Sequence, residues 1–401
     1  MGTQRWDRFR RALAGEALPA AIVDLDAFEA NVDRVADLVR ARGRKLRVAT
    51  KSIRSPALIE RVLARGGDVF RGLMTYSAAE TAYWARRGQR DLLLAYPTVQ
   101  PSDLAHLVDA NRAGAVAAVI VDAEDQIAAL AAAARAAGVT LPAAIEIDMS
   151  YRPAGDRLHV GVRRSPLRDV DAIVALAERI AGDGALSFRG LMGYEAQIAG
   201  LGDRGVGWKQ WPLRALKRRS RRDVAATRAR IAAALAARGL SPAVFNGGGT
   251  GSLPSSCEED ALTEVTAGSA FLCSHLFDHY ADVTFAPAAY FALQVVRRPA
   301  PDLVTCHGGG LIASGAAGPD RLPVPALPEG LALLPLEGAG EVQTPLRVPP
   351  GVSLAIGDPV LLRHAKAGEL AEHFTEYLLV RGDRVEDRAP TYRGEGLCFL
   401  G

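Results

Sequence analysis

The sequence is poor in cysteine, and its few cysteines form no metal-binding or redox pair. The four thiols are Cys257, Cys273, Cys306 and Cys398, and no two of them make a C-x-x-C motif. A chain of 401 residues can bury a large core and does not need a disulfide framework. We therefore expect reduced thiols and a cytoplasmic location.

An excess of charge of one sign and a long apolar run are also missing. Lysine and arginine total 48 and the acidic residues 45, which gives a net charge of +3. This balance offers no electrostatic reason to expect nucleic acid or a membrane as partner. No stretch reaches the roughly 18 uncharged apolar residues of a membrane helix. We expect a soluble protein whose partner is a small-molecule substrate.

Short apolar runs alternate with Ala-, Leu- and Arg-rich helical stretches between residues 46 and 279. We predict eight strands, at Leu46–Thr50, Asp68–Gly72, Asp91–Ala95, Val116–Val121, Ala143–Asp148, Ser187–Tyr194, Ala243–Asn246 and Leu262–Thr266. This alternation is typical of parallel strands with crossover helices. Eight such units predict a closed (β/α)8 barrel of the TIM type. The rival, an open doubly wound sheet, usually begins with a glycine-rich turn, which the first strands lack.

Two segments lie outside the eight units. The first, residues 1–25, contains an apolar strand, and the barrel is predicted over residues 26–288. The second, residues 289–401, is rich in Val, Pro and Gly and predicts a β domain. Its strand candidates are Tyr290–Arg297, Leu331–Leu336, Pro359–His364 and Tyr377–Arg381.

Glycines cluster after the seventh and eighth predicted strands. Gly247–Gly251 follows the seventh strand, and Gly268 and Ser269 follow the eighth. Barrel enzymes often bind phosphate in these two loops. Glycines let backbone N–H groups approach an anion, and Thr250 adds a hydroxyl donor. A plain glycine-rich turn is the alternative, but the second Gly-Ser pair favours phosphate binding.

Lys51 stands at the end of the first predicted strand, where barrel enzymes place their chemistry. A desolvated lysine amine is a nucleophile, and the alternative is an ordinary lysine exposed to water on the rim. An amine and a phosphate site on one barrel mouth suit pyridoxal phosphate, which needs both.

These segments resemble those of a known family. RVATKSIRSP (Arg47–Pro56) resembles the cofactor-lysine segment of fold-type III pyridoxal-phosphate enzymes, and most of all that of the D-threonine aldolase and D-serine dehydratase family. NGGGTGS (Asn246–Ser252) and TEVTAGS (Thr263–Ser269) are similar to its two phosphate-binding segments. The resemblance implies a Schiff base on Lys51, a β domain made from both chain ends, and a homodimer.

The resemblance also implies a set of cofactor contacts. His159 stands where the family has an arginine, Arg163 follows four residues later, and which of them faces the cofactor is open. Either Arg163 or Tyr194 is expected at the pyridine ring. The predicted cofactor-binding residues are Lys51, Tyr96, His159, Arg163, Tyr194, Gly248, Gly249, Thr250, Gly268 and Ser269.

The family holds a divalent metal with a His-x-Asp or His-x-Cys pair in its C-terminal domain. The matching segment here is RHAKAGE, in which His364 takes the first position and Lys366 the second. A cation is a poor metal ligand. Two alternatives follow: Glu369 completes the metal site with His364, or the metal is absent and Lys366 provides the positive charge.

These features predict a pyridoxal-phosphate-dependent lyase. It would act on a D-configured or β-hydroxy amino acid by retro-aldol cleavage or by dehydration and deamination, with Lys51, His364 and Tyr194 as catalytic residues. The first alternative is an amino-acid racemase of the same fold type, which needs Lys51 and a tyrosine as bases on opposite faces of Cα. A cofactor-binding regulatory protein is a third reading, which the extra β domain disfavours.

Overall fold

The structure is a computed structural model that describes residues 2–205 and 211–400. Its strands in chain order are β1 (Ala20–Asp24), β2 (Lys45–Ala49), β3 (Phe70–Thr75), β4 (Asp91–Leu94), β5 (Val116–Val121), β6 (Leu141–Glu146), β7 (Pro153–Asp156), β8 (Leu186–Gly193), β9 (Val244–Gly247), β10 (Glu264–Ala267), β11 (Ala289–Ala300), β12 (Leu303–His307), β13 (Val324–Leu327), β14 (Ala332–Leu333), β15 (Gln343–Arg347), β16 (Pro359–Arg363), β17 (Glu376–Arg381) and β18 (Arg384–Pro390).

Its α-helices are α1 (Gly2–Ala12), α2 (Leu25–Arg40), α3 (Pro56–Gly66), α4 (Ala78–Arg86), α5 (Pro101–Arg112), α6 (Glu124–Ala137), α7 (Val170–Ala181), α8 (Ala196–Ala199), α9 (Trp211–Ala237), α10 (Leu253–Ser256) and α11 (Ser269–Leu272). Within the described ranges, no helix is both long and apolar enough to cross a membrane.

Eight parallel strands close a barrel in the order β10-β2-β3-β4-β5-β6-β8-β9. The predicted closed barrel is therefore confirmed. Two strands were predicted to start earlier than they do. β3 begins at Phe70 and not at Asp68, because Gly67–Val69 forms a 3-10 turn, and β10 begins at Glu264 and not at Leu262. Alternate strand residues point outward, and these pack under the helices in one large apolar core.

The second sheet has nine strands and is built from both ends of the chain. β1 lies between β11, to which it is antiparallel, and β17, to which it is parallel. The predicted β domain that takes in the N-terminal strand is therefore confirmed. Because a segment near residue 20 pairs with segments near residues 290 and 378, this sheet joins the two ends of the chain beside the barrel.

A buried ion-pair network fills the barrel near the amino ends of its strands, opposite the mouth. Arg47 is 1% exposed and donates from Nε to Glu264 at 2.6 Å and from Nη2 to Asp91 at 3.0 Å. A Cβ on Gly72, whose φ is +64°, would lie 2.2 Å from the Asp91 carbonyl oxygen. A glycine at this position therefore gives the network its room.

Replacing Arg47 by methionine should destabilise the protein by about 3–5 kcal/mol, because Glu264 would be left as an unpaired buried charge. Urea unfolding followed by circular dichroism measures this effect. The control is Arg347→Met, whose partner Asp302 is 55% exposed. That change should cost about 1 kcal/mol or less. Equal midpoints for the two variants would contradict this account.

Candidate active site

A cavity of about 140 Å³ opens at the carboxyl ends of the barrel strands. Eight of the predicted cofactor-binding residues line it, namely Lys51, Tyr96, Tyr194, Gly248, Gly249, Thr250, Gly268 and Ser269. They come from the ends of β2, β4, β8, β9 and β10, which are far apart in the sequence. Closure of the barrel is therefore what brings them together.

Lys51 lies in a 3-10 turn, Thr50–Ser52, that follows β2 directly. Its Nζ donates to the Tyr96 hydroxyl at 2.8 Å, and it lies 5.5 Å from the centroid of the Tyr96 ring. The contact directs the amine toward the cavity wall formed by β4. The amine is exposed, so a carbonyl compound that enters the cavity can reach it.

Tyr194 lines the cavity beside the glycine-rich turn. Burial raises its pKa to about 12, so its hydroxyl keeps its proton at neutral pH. A Cβ on Gly249 would lie 3.0 Å from the Tyr194 ring, so a glycine is what lets the turn approach that ring.

Sequence reasoning missed the side chain that holds this turn, Glu195. Its carboxylate is 1% exposed and accepts hydrogen bonds from the hydroxyls of Ser252 and Ser256, each at 2.6 Å, and from the backbone N–H of Gly248 at 3.1 Å. It also forms an ion pair with Arg228 of α9. Burial alone would raise the pKa of Glu195, but Arg228 and the hydrogen bonds hold it below its usual range.

The two glycine-containing turns keep hydrogen-bond donors free toward the cavity. Glu195 and Ser252 occupy the N–H groups of Gly248 and Gly249. No hydrogen bond between described residues uses the backbone N–H of Thr250 or Ser269. Unpaired donors grouped in this way form a nest for an anion such as a phosphate. With the amine of Lys51 in the same cavity, the residues present fit pyridoxal phosphate.

Arg163 and His159 are not among the described residues that line this cavity. Arg164 lines it instead, and it also lines an adjoining cleft that it shares with His159 and Tyr194. Its guanidinium lies 5.5 Å from the centroid of the Tyr194 ring. It forms no ion pair at contact distance with a described residue, but its charge acts on the buried carboxyl of Glu146 and opposes the rise that burial causes in the pKa of that group. The structure thus places an unpaired cation one residue beyond the predicted arginine.

His364 lies at the end of β16 and is not among the described residues lining the cofactor cavity. Together with Lys366 and Glu369 it lines a separate, small cavity. Burial, with Arg363 and His275 nearby, lowers the pKa of His364 to about 3, so its ring is neutral. The structure therefore brings together the three residues of the predicted metal segment, but apart from the amine of Lys51.

A second missed carboxylate, Glu80, supports the turn that carries Lys51. It is fully buried and accepts hydrogen bonds from the backbone N–H of Tyr76 at 2.9 Å and from the Tyr392 hydroxyl at 2.6 Å. The backbone N–H of Tyr392 donates to the Arg54 carbonyl, three residues after Lys51. Burial raises the pKa of Glu80 to about 7.

Comparisons with known proteins identify the family of this chain and several relatives. The family described as alanine racemase, N-terminal domain, matches residues 23–273. A 3-hydroxy-D-aspartate aldolase of Paracoccus denitrificans is 28% identical over 252 residues, which are 63% of this chain and 59% of that protein. The match thus spans less than two thirds of that relative's length. A D-threonine aldolase of an Arthrobacter species is 26% identical over 317 residues, or 77% of this chain and 76% of that protein.

Solved structures share the fold over nearly the whole chain. A D-threonine aldolase from Filomicrobium marinum superposes with a TM-score of 0.80 at 24% identity, covering 95% of this chain and 96% of that one. An alanine racemase from Clostridium difficile 630 superposes with a TM-score of 0.64 at 12% identity, covering 93% and 98%. At these identities the likeness establishes the fold alone.

Glu195→Gln should weaken pyridoxal phosphate binding about tenfold. An amide cannot accept all the hydrogen bonds that the carboxylate accepts, and a lost charged hydrogen bond costs about 1.5–3 kcal/mol. Titration of the apoprotein followed by visible absorbance measures the affinity. Glu258→Gln is the control, because Glu258 is an exposed carboxylate shortly after α10. Unchanged affinity in Glu195→Gln would show that the Glu195 carboxylate does not shape the anion site.

Glu80 should make the protein less stable as the pH rises from 5 to 8. The folded-state pKa, about 7, lies above the ordinary value of 4.5, so its stabilising contribution is complete below pH 4.5 and lost as the pH passes through 7. The loss is on the order of 3 kcal/mol. In Glu80→Gln the free energy of unfolding should no longer show this decrease with pH, whereas in the exposed control Glu60→Gln the decrease should remain. Parallel pH profiles for the two variants would refute the assignment.

Proposed function

The chain belongs to the alanine racemase N-terminal domain family, and we propose that it is a pyridoxal-phosphate-dependent lyase acting on a D-configured or β-hydroxy amino acid. The observation that carries this proposal is the amine of Lys51 in one cavity with two turns that offer unpaired donors. Relatives named as aldolases of 3-hydroxy-D-aspartate and D-threonine favour cleavage or dehydration over racemisation.

In this proposal Lys51 binds the cofactor, and Gly248–Thr250 with Gly268–Ser269 bind its phosphate. When bound, the cofactor supplies an electron sink for bond cleavage at the substrate Cα. Tyr194 contacts the ring as a neutral hydroxyl, because its pKa of about 12 keeps it protonated.

Arg164, which lines the cavity where Arg163 does not, has in this proposal a role different from the pyridine contact predicted for Arg163. Its guanidinium is unpaired at the mouth of the cavity, so it can bind the carboxylate of an amino acid in a bidentate manner. A bound carboxylate would orient the substrate toward Lys51 and Tyr194. His159, in the adjoining cleft, would then lie along the substrate's path rather than at the cofactor.

His364 remains the predicted residue for the substrate β-hydroxyl, at the far side of the Lys51 turn. We also propose that the chain works as a homodimer in the cytoplasm. The proposed domain boundaries after residues 25 and 288 agree with the end of β1 at Asp24 and the start of β11 at Ala289.

The racemase alternative requires a tyrosine and Lys51 on opposite faces of Cα. Of the tyrosines that line the cavity, Tyr96 is hydrogen-bonded to Lys51 and so lies on the same side as the amine. Tyr194 would have to be the second base, and its raised pKa opposes loss of its proton. Both observations favour the lyase.

The purified protein should show a visible absorption band that borohydride bleaches, and Lys51→Ala should lack it, because no other amine is proposed to bind the cofactor covalently. Lys45→Ala is the control, since Lys45 lies at the opposite end of β2 with its Nζ on the Asp68 carbonyl. If the protein stays colourless after added pyridoxal phosphate, the cofactor assignment is wrong.

The coloured protein is then given D- and L-β-hydroxy amino acids, and aldehyde, keto acid and ammonia are measured. Aldehyde from a D-substrate indicates retro-aldol cleavage, whereas keto acid with ammonia indicates dehydration. Loss of the Cα proton to solvent with formation of both enantiomers, and none of these products, would replace the lyase by the racemase.

A further inference from the structure

The segment from His364 to Glu369 runs from the end of β16 onto the backbone of the Lys51 turn. A Cβ on Gly368 would lie 1.9 Å from the Lys51 carbonyl oxygen, so the two backbones touch. The backbone N–H of His275 donates to the His364 carbonyl at 3.1 Å, and Phe277, two residues later, lines the cofactor cavity. This segment is therefore packed directly against the walls of the active site.

The imidazole of His364 lacks the support that a metal ligand normally has. It is 3% exposed, and neither ring nitrogen has a hydrogen-bond partner among the described residues. A histidine that binds a metal through one nitrogen almost always donates from the other to a carboxylate or carbonyl oxygen, which fixes the ring.

Lys366 and Glu369 are joined through one hydroxyl. The ammonium of Lys366 donates to the Ser314 Oγ at 3.1 Å, and that hydroxyl donates to Glu369. The second Glu369 oxygen accepts the backbone N–H of Ser314 at 2.8 Å. Both oxygens of Glu369, the predicted second ligand, are thus engaged, and a charged lysine has no lone pair to offer a metal.

Space and charge also oppose a divalent cation beside His364. The cavity that these side chains line has a volume of about 10 Å³. This could hold an ion, but it leaves no room for the water molecules that would have to complete its coordination beside one histidine. In the described part of the chain, no group of three or more His, Cys, Asp or Glu side chains is placed to hold a metal. A dication there would also be repelled by the ammonium of Lys366. The residues present do not fit the metal that the family resemblance implies.

We propose that the ammonium of Lys366 takes the place of a divalent cation beside His364, so that this enzyme works without a metal ion at that position. The catalytic consequence rests on the proposed lyase function, but the statement about metal binding does not. The ammonium of Lys366 is hydrogen-bonded to the hydroxyl of Ser314, which is itself bound to Glu369. Its charge is then available to the oxygen of a β-hydroxyl on the substrate.

Metal analysis of the holoenzyme tests the proposal without an activity assay. The protein is incubated with zinc or manganese, dialysed against metal-free buffer and measured by mass spectrometry. The wild type should retain far less than one ion per chain. Lys366→Asp places a carboxylate two residues after His364 and should retain zinc, which should raise its melting temperature. Lys366→Met, which removes the charge without adding a ligand, should retain none.

Activity provides the second measurement. A chelator should leave the wild-type rate unchanged, and Lys366→Met should lower kcat about tenfold or more while the visible absorption band stays. One tightly held metal per wild-type chain that is lost in His364→Ala would overturn the proposal, as would wild-type kcat in Lys366→Met. A colourless protein would instead refute the lyase function and leave the metal analysis valid.

Discussion

The geometry of the active site depends on one buried carboxylate, that of Glu195. It lies two residues after the end of β8 and binds the turn after β9, the short helix α10 and Arg228 of α9 at once. Arg228 is fully buried and also donates to the Gly193 carbonyl and to Glu259. A buried charge is tolerated only when it is paired and hydrogen-bonded, so these groups must assemble together or not at all. The glycine-rich turn is therefore held in its shape before any anion arrives.

Much of the fold could be read from the sequence because its signals are local. Each barrel strand is a short apolar run followed by a turn residue, and Lys51 and the glycines Gly248 and Gly268 stand where such runs end. The period of the pattern specifies which way a strand residue points, and the barrel topology places all strand ends at one mouth. The predictions of a cofactor lysine and of two phosphate-binding turns were based on these positions together with the family resemblance of the segments around them.

The features that were missed lie outside regular structure or depend on long-range pairing. Arg164 rather than Arg163 faces the cavity because the chain from residue 157 to 169 has no helix or strand whose period would tell neighbouring side chains apart. Glu195 and Arg228 are 33 residues apart, and Glu80 and Tyr392 are 312 apart. No pattern in the sequence identifies such partners, since a buried carboxylate cannot be distinguished from an exposed one until the fold is known.

The placement of β1 between β11 and β17 has a consequence for biosynthesis. Asp24, at the end of β1, and Lys51, in the cofactor turn, leave the ribosome long before Val380, Gly368 and Tyr392, which pack against β1 and the lysine turn. A nascent chain can therefore close its barrel strands before it contains the outer supports of the lysine turn. A ribosome that stalls between β10 and β16 leaves a barrel whose lysine turn is unsupported.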